Sequence, residues 1–388
     1  MLSVLTRAKN RDVILVMGLL CAAAGLLVYP QQSMQAARQG LELCANVIIP
    51  SLFPFFVLSS LVVELGMAGW LGRALERVMQ PLFRINGAGA GALVLGFVGG
   101  YPVGAQTAIS LYQKGLCSRV ETERLLAFCN NSGPAFILGV VGAGIFGSSR
   151  IGLLLYLTHM AASLLVGLAF RFYGRTDPAP ARARPVPIRT VRFSRAFTDS
   201  VRGAASSIVN ICAFVVLFSV VIRLLVLCGA MDAAAGLLVP LGLDEQTARR
   251  LLTGLVELSS GVAGLSGPDF VAQGIPLAAF LLGWAGLSVH CQVLSFLSDS
   301  DLHIRTYLVG KLLHGGISAA LTLLLTRLFP LPLPVSGYLA QQVEDLTGLD
   351  FARTLSICSA AAWSLWLVFL VVTLWMMICC KKRSGKVR

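Results

Sequence analysis

Residues 87–138 read GAGAGALVLGFVGGYPVGAQTAISLYQKGLCSRVETERLLAFCNNSGPAFIL. The stretch is apolar enough to lie in a membrane, yet two tracts in it interrupt any helix: Gly99-Gly100-Tyr101-Pro102 and Asn130-Asn131-Ser132-Gly133-Pro134. In hydrocarbon an unpaired backbone N–H or C=O costs several kcal/mol. Broken backbone is therefore tolerated at membrane depth only inside protein or beside a water-filled cavity. Two breaks this close predict half-helices meeting at a buried polar site, as in transporters that bind substrate near the bilayer midplane.

Composition gives the whole chain the same setting. Of 388 residues, 56% are hydrophobic and 13% are charged, with mean hydropathy +0.80. A soluble domain carries roughly 25% charged residues. The expectation is an all-α, multi-pass membrane protein whose constant partner is the lipid bilayer. The net charge of +13 raises nucleic acid as a partner. Its distribution argues against that, because Lys and Arg gather in short loops and at the C-terminus, the positive-inside pattern. Most of the ten Cys sit in apolar segments (Cys21, Cys129, Cys212, Cys228, Cys291, Cys358) without metal-type spacing. They read as small apolar residues, and neither a metal site nor a resident cofactor is expected.

Working outward, Ala88 to Val98 and Val103 to Tyr112 are each too short to cross a bilayer, which takes roughly 20 residues. Their basic flanks, Arg84 before and Lys114 and Arg119 after, predict a re-entrant hairpin entering from the cytoplasmic face. Glu121 to Phe128 and Ala135 to Phe146 read as one span broken at Asn130 to Pro134, and Ile151 to Phe170 returns. Upstream, Arg7, Lys9 and Arg11 precede a first span, Val13 to Val28, that Pro30 ends. A short helix from Gln31 to Leu43 and a span from Asn46 to Leu65 follow. Met67 to Arg84 is amphipathic, with Met67, Trp70, Leu71, Leu75, Val78, Met79 and Leu82 on one face and Arg73, Arg77 and Arg84 on the other. That predicts an interfacial helix. Downstream, Arg171 to Arg195 is a basic, Pro-rich linker, extended and cytoplasmic.

The second half echoes the first. Ser206 to Leu227 is a span, and two further polar breaks follow, Glu257-Leu258-Ser259-Ser260-Gly261 and Ser288-Val289-His290-Cys291-Gln292. Gly100 to Ser132 is 32 positions and Ser260 to His290 is 30. Three full crossings and one hairpin per half make the halves inverted repeats. The second hairpin then enters from the outer side, where Asp232, Glu245 and Asp269 lie, with Arg249 and Arg250 opposing that placement. The expected division is 1–39, an N-terminal helix and connector; 40–172, a first repeat; 173–195, the linker; 196–328, a second, inverted repeat; and 329–388, an outer loop, last span Leu355 to Ile378 and basic tail. That totals about eight spans, with both termini cytoplasmic.

Gly99-Gly100-Tyr101-Pro102-Val103-Gly104-Ala105 and Cys129-Asn130-Asn131-Ser132-Gly133-Pro134, with the tract Glu257 to Gly261, resemble the sporulation integral membrane proteins built on nucleoside-recognition (Gate) domains. The likeness covers residues 40–328. Gate domains are similar in plan to concentrative nucleoside transporters, so the resemblance implies inverted hairpin repeats and solute translocation. In the sporulating family it implies a role in spore formation, with dipicolinate the suspected cargo moving from mother cell towards forespore. It also implies a place in the mother-cell-derived outer forespore membrane. No tract matches the polar binding sequences of the nucleoside carriers, so nucleoside transport does not follow from the domain name.

The residues themselves point to an anion. A half-helix starting at Val103 or Pro134 aims free N–H groups and a positive dipole end at its break, and carboxylates bind such termini. The candidate binding residues are Gly100, Tyr101, Val103, Gly104 and Thr107; Asn130, Asn131, Ser132 and Gly133; Ser259 and Ser260; and Ser288, His290 and Gln292. The bland alternative is kinked helices whose polar groups satisfy one another. Glu257 is the sharpest single residue, because a carboxylate in an apolar hairpin is usually paired or functional. It is expected to couple transport to H⁺ or Na⁺, or else to make a structural hydrogen bond to the facing hairpin. His290 is either a satisfied polar group or a proton relay. Lys311, in a span with His314 as His159 is in another, either neutralises an anionic cargo or snorkels to the interface.

The leading reading is a secondary transporter of a small anionic solute, working by alternating access of the two repeats, as a monomer or homo-oligomer. A non-transporting assembly protein of sporulation and a nucleoside-type transporter are the alternatives. No nucleophile elbow or metal motif is present, so an enzyme is not expected.

Overall fold

The computed structural model describes residues 10–65, 75, 77–174, 192–265, 271–297 and 300–329. The expectations for the extreme N-terminus, residues 66–74 of the amphipathic segment, linker residues 175–191, Asp269, and the last span with its tail lie outside them. The regular elements among the described residues are helical, with no strand.

Helix α1, Asn10–Val28, meets α2, Pro30–Leu43, at a bend of 99°. Pro30 occupies a first-turn position, where its missing N–H costs nothing. A π-helical turn, Cys44–Ile48, leads into α3, Ile49–Glu64. Pro50 has no N–H to offer a carbonyl one turn back, which is where the backbone widens. Residues 77–83 are helical and turn Met79 and Phe83 inward, while Val78 and Leu82, expected on the apolar face, are exposed.

Helices α4, Gly89–Gly99, and α5, Val103–Gln113, form the first hairpin. Helix α6, Arg119–Leu126, opens on a capping box made by Ser118 and Glu121. After the Asn130 tract comes a π-helix, Ala135–Ile145, then α7, Ser149–Phe170, capped by Ser148. The second half holds α8, Phe193–Leu227; α9, Ala230–Gly236; α10, Glu245–Val256; α11, Leu258–Ala263; α12, Val271–Trp284; α13, Gly286–Leu297; and α14, Ile304–Leu328.

Among the described residues, four helical stretches are long and apolar enough to cross a membrane: Ser149–Phe170, Phe193–Leu227, Gln273–Leu297 and Ile304–Leu328. The bent pair α1–α2 makes a fifth if it is one span. Two of the expected spans are built of shorter pieces, 16 residues in α3 and 8 and 11 residues either side of the Asn130 tract.

The second hairpin, α10 and α11, carries charge at its start. There Arg249 pairs with Asp232 at 3.1 Å and Glu245 at 2.6 Å, so this arginine is matched by local acids.

The bundle turns apolar side chains outward and holds a polar stripe within its apolar core. Helix α14 exposes Val309, Leu312, Leu313, Leu323 and Leu324 while burying Lys311, His314, Ser318 and Thr322. Such an arrangement suits lipid around the protein and polar contacts inside it. Three apolar clusters hold the helices. One joins Phe83, Leu125, Phe128 and Tyr307. Another joins Ile137, Ile151, Leu258 and Leu281. The third, of Cys44, Ile48, Phe56, Ile208 and Ile211, ties α3 to α8.

One expected break is displaced. Ser288 to Gln292 are helical, inside α13, and the interruption falls at Ala285, between α12 and α13. Ala285 and Gly286 both take positive φ, at 79° and 83°. The polar residues mark the inner face of a helix, and the small pair just before them makes the bend.

Candidate functional site

Close backbone contact is what draws the interruptions together. Gly100, at φ 76° and ψ −167°, has a conformation open essentially to glycine alone. A Cβ there would stand 2.8 Å from the Gly133 amide nitrogen, so the first and second tracts touch through backbone. A Cβ on Gly96 or Gly104 would strike the Cys129 carbonyl oxygen, which is wedged between α4 and α5. The second half repeats the device. Gly254 and Gly261 cross within the second hairpin, and a Cβ on Gly286 would lie 2.9 Å from the Leu258 nitrogen. Each hairpin tip therefore abuts the broken helix of its own half.

Side chains then tie the halves to each other. The Tyr101 hydroxyl, from the first hairpin, donates to the Leu282 carbonyl at the end of α12. Within the second half, Trp284 Nε1, at the end of α12, donates to the Leu255 carbonyl of the second hairpin at 3.1 Å.

All four tracts border one cavity of about 60 Å³. Gly100 and Tyr101 come from the first tract, Ser132 and Gly133 from the second, and Glu257, Leu258 and Ser259 from the third. Ser288, Val289 and Gln292 come from the first two turns of α13. The remaining wall is apolar: Ile48, Leu52, Phe136, Ile211 and Val215. Ile48, Ile211 and Val215 belong to the α3–α8 cluster, so the cavity lies where that cluster meets the broken helices. Ligand pockets usually run to roughly 300–1,000 Å³. This space holds water-sized guests as it stands.

Glu257 is the N-cap of α11. Its Oε1 accepts from the Ser259 amide at 3.0 Å and its Oε2 from the Ser260 amide at 2.7 Å. The carboxylate thus fills the helix terminus of its own hairpin. The expected hydrogen bond to the facing hairpin is replaced by this local one. Three further helix starts, at Val103, Ala135 and Gly286, lie at the other tracts.

Several expected residues stand back from the cavity. Val103 packs against the α3–α8 cluster, Gly104 serves the Cys129 contact, and Thr107 is half-buried along α5. Ser260 gives its amide to Glu257. Asn130, Asn131 and His290 are buried behind the cavity wall. Asn131 Nδ2 donates to the Phe128 carbonyl at 2.9 Å. Asn130 Nδ2 lies 3.4 Å from the Tyr307 hydroxyl, and His290 Nδ1 lies 3.0 Å from that same oxygen.

These residues meet a second polar group, built on the spanning residues His159, Lys311 and His314. The Ser132 amide donates to His159 Nε2 at 3.0 Å, Lys311 Nζ donates to the Asn130 carbonyl at 2.9 Å, and His314 Nε2 donates to the His159 carbonyl at 2.9 Å. Lys311 does not snorkel: it is 1% exposed, with its ammonium 5.0 Å from the Tyr101 ring centre. The signal available was periodic. Tyr307, Lys311, His314, Ser318 and Thr322 recur every three or four positions on one face of α14.

Residues 45–174 match the nucleoside-recognition (Gate) family. The chain is 33% identical to the sporulation integral membrane protein YlbJ of Bacillus subtilis over 326 residues, 78% of this chain and 80% of that one. It is 26% identical to an uncharacterized protein of Alkalihalophilus pseudofirmus over 125 residues, 31% of this chain and 27% of that protein. No solved structure matches.

Proposed function

The chain belongs to the sporulation integral membrane protein family and carries a nucleoside-recognition (Gate) domain, and from that membership we propose that it is a secondary transporter of a small anionic solute. The observation carrying the reading is the meeting of all four interrupted tracts at one cavity. A structural kink needs no partner break in the other half. Four breaks around a shared space bring helix starts and small polar groups to something that enters it.

The helix starts at Ala135 and Gly286 favour a carboxylate guest through their amides and positive dipole ends. Glu257 is the acidic side chain among the lining residues, and both its oxygens already accept from backbone amides. It completes one terminus and leaves the others to the solute. Dipicolinate, an aromatic dicarboxylate, fits this chemistry and the sporulation family, in the membrane around the forespore.

The halves read as inverted repeats, each a re-entrant hairpin set against a broken span, within about eight crossings. A cavity of about 60 Å³ is small for such a guest, so admission needs the apolar wall of Ile48, Leu52, Ile211 and Val215 to separate from the broken helices. Motion along that boundary would give alternating access.

The test is uptake of labelled dipicolinate, with a nucleoside in parallel, by liposomes containing the full chain. Saturable dipicolinate flux that falls on Ser132→Val substitution is the expected result. Saturable nucleoside flux instead would reassign the cargo. Absence of flux from correctly inserted protein would overturn the transporter reading in favour of an assembly role.

A further inference from the structure

A polar seam runs behind the cavity. Tyr307, Lys311, His314, Ser318 and Thr322 of α14 are each no more than 1% exposed. At 1.5 Å per residue they extend over about 22 Å, most of a hydrocarbon core about 30 Å thick. Facing them are Asn130, Asn131 and Ser132 of the second tract, Thr158 and His159 of α7, and His290 of α13. Thr322 closes one end with a hydrogen bond to Thr158 Oγ1 at 2.9 Å, and His290 with Tyr307 closes the other.

The seam is short of partners. Among the described residues, eleven buried side-chain polar atoms make no close hydrogen bond, and seven of these lie here: Asn130 Oδ1, Asn131 Oδ1, Ser132 Oγ, which stands near the Tyr101 hydroxyl, His159 Nδ1, His290 Nε2, His314 Nδ1 and Ser318 Oγ. Buried polar atoms are ordinarily satisfied. A line of unpaired ones beside the cavity calls for mobile small partners, water or protons.

Hydrogen bonding fixes the tautomers. Because the Ser132 amide donates to His159 Nε2, that ring carries its proton on Nδ1. Because the His159 carbonyl accepts from His314 Nε2, the second ring carries a proton there, and in its neutral form its Nδ1 is a bare lone pair. The ring centres are 4.3 Å apart. One ring thus has a donor without an acceptor, and its neighbour an acceptor without a donor. The titratable groups around them are Tyr101, Cys129, His159, His290, Tyr307 and Lys311. No carboxylate pairs with Lys311 or His314 among the described residues.

We propose that this seam binds the proton that travels with the solute, taken up at His314 Nδ1 beside Lys311. The step passes a proton from hydronium in the cavity, by way of Ser132, which lines the cavity and bonds His159 through its amide, to the ring lone pair; it gives an imidazolium, leaves water behind, and reverses when the site faces the other side. A proton carried with an anion offsets charge that is costly to move through hydrocarbon. The inference rests on the transporter reading.

The experiment uses the full chain in liposomes holding a trapped pH dye. Solute flux should carry protons with it, and an imposed pH gradient should drive uptake. His314→Gln keeps a donor for the His159 carbonyl and removes the titrating ring. It should keep solute binding and lose both proton movement and gradient-driven uptake. Wild-type solute flux without proton movement, or a His314→Gln chain that still moves protons, would overturn the inference and leave transport standing. If the wild type shows no flux, the transporter reading fails first. ¹⁵N-histidine spectra of the solubilised chain then decide the proton site: a titrating ring that vanishes in His314→Gln supports it, and no such ring overturns it.

Discussion

Lys311 puts its ammonium 2.9 Å from the carbonyl oxygen of Asn130, the residue at which the second tract opens. No carboxylate shares the site among the described residues. Burying an ammonium costs several kcal/mol, and a bare carbonyl left behind costs about 1–3 kcal/mol. Desolvation is the larger of the two. Lys311→Met, which keeps the length of the stem, should therefore hold or raise the unfolding temperature while abolishing solute flux. Thermal unfolding in detergent and flux in liposomes check the two halves separately. A lower Tm with intact flux would make Lys311 a structural residue.

Gly100 meets Gly133 through backbone, and its φ of 76° with ψ −167° excludes ordinary side chains. Gly100→Ala should cost about 1–3 kcal/mol in backbone strain, with the clash against the Gly133 nitrogen added. Gly236, at the end of α9, has nothing within 4 Å of its Cβ position. Gly236→Ala should be neutral or stabilise by about 0.4–1 kcal/mol. Unfolding temperatures of the two variants side by side test the contact, and equal values would deny it.

Three of the four interruptions were legible because Gly, Pro, Asn and a lone Glu stand out in apolar sequence. The fourth was not. Ser288 and Gln292 are four positions apart and both line the cavity from one helix face, so polarity there marks an inward stripe. The bend belongs to Ala285 and Gly286, which carry no polar flag. The seam is harder to read for a related reason: Lys311 or His314 alone is one polar residue in a span, and only the recurrence of Tyr307, Lys311, His314, Ser318 and Thr322 every three or four positions along α14 marks a face. The capping role of Glu257 needed coordinates, since its partners, the amides of Ser259 and Ser260, are present in any sequence. Span counting is hardest where expected spans fall on helices of 8, 11 and 16 residues.

Asp301, before α14, accepts a hydrogen bond from the Tyr112 hydroxyl at 2.5 Å and faces Arg119 at 3.4 Å. The Tyr112 hydroxyl, more than any other neighbour, holds its carboxyl below the ordinary carboxylate range. A depressed folded value stabilises the folded form above the unfolded value of about 3.9, and the contribution is lost as pH falls through the folded value. The link between α5 and the loop before α14 should accordingly loosen in acid. Tyr112→Phe should move the Asp301 titration up towards about 3.9. Carboxyl NMR titration reads this directly, and an unmoved midpoint would rule it out.

Glu257 separates capping from ion coupling. Its two oxygens accept from Ser259 and Ser260 at 3.0 and 2.7 Å, so Glu257→Ala should lose the cap and about 0.5–2 kcal/mol. Glu257→Gln keeps a single carbonyl oxygen and turns an NH₂ towards the other amide, so it should fall between. Asp is itself among the best N-caps, so Glu257→Asp should restore most of the stability. If the carboxylate only closes α11, uptake by the Gln variant keeps its dependence on pH and on Na⁺, scaled down with the folded fraction. If that dependence disappears in Gln and returns in Asp, Glu257 is the coupling group, and the proton site moves from the α14 seam to the hairpin.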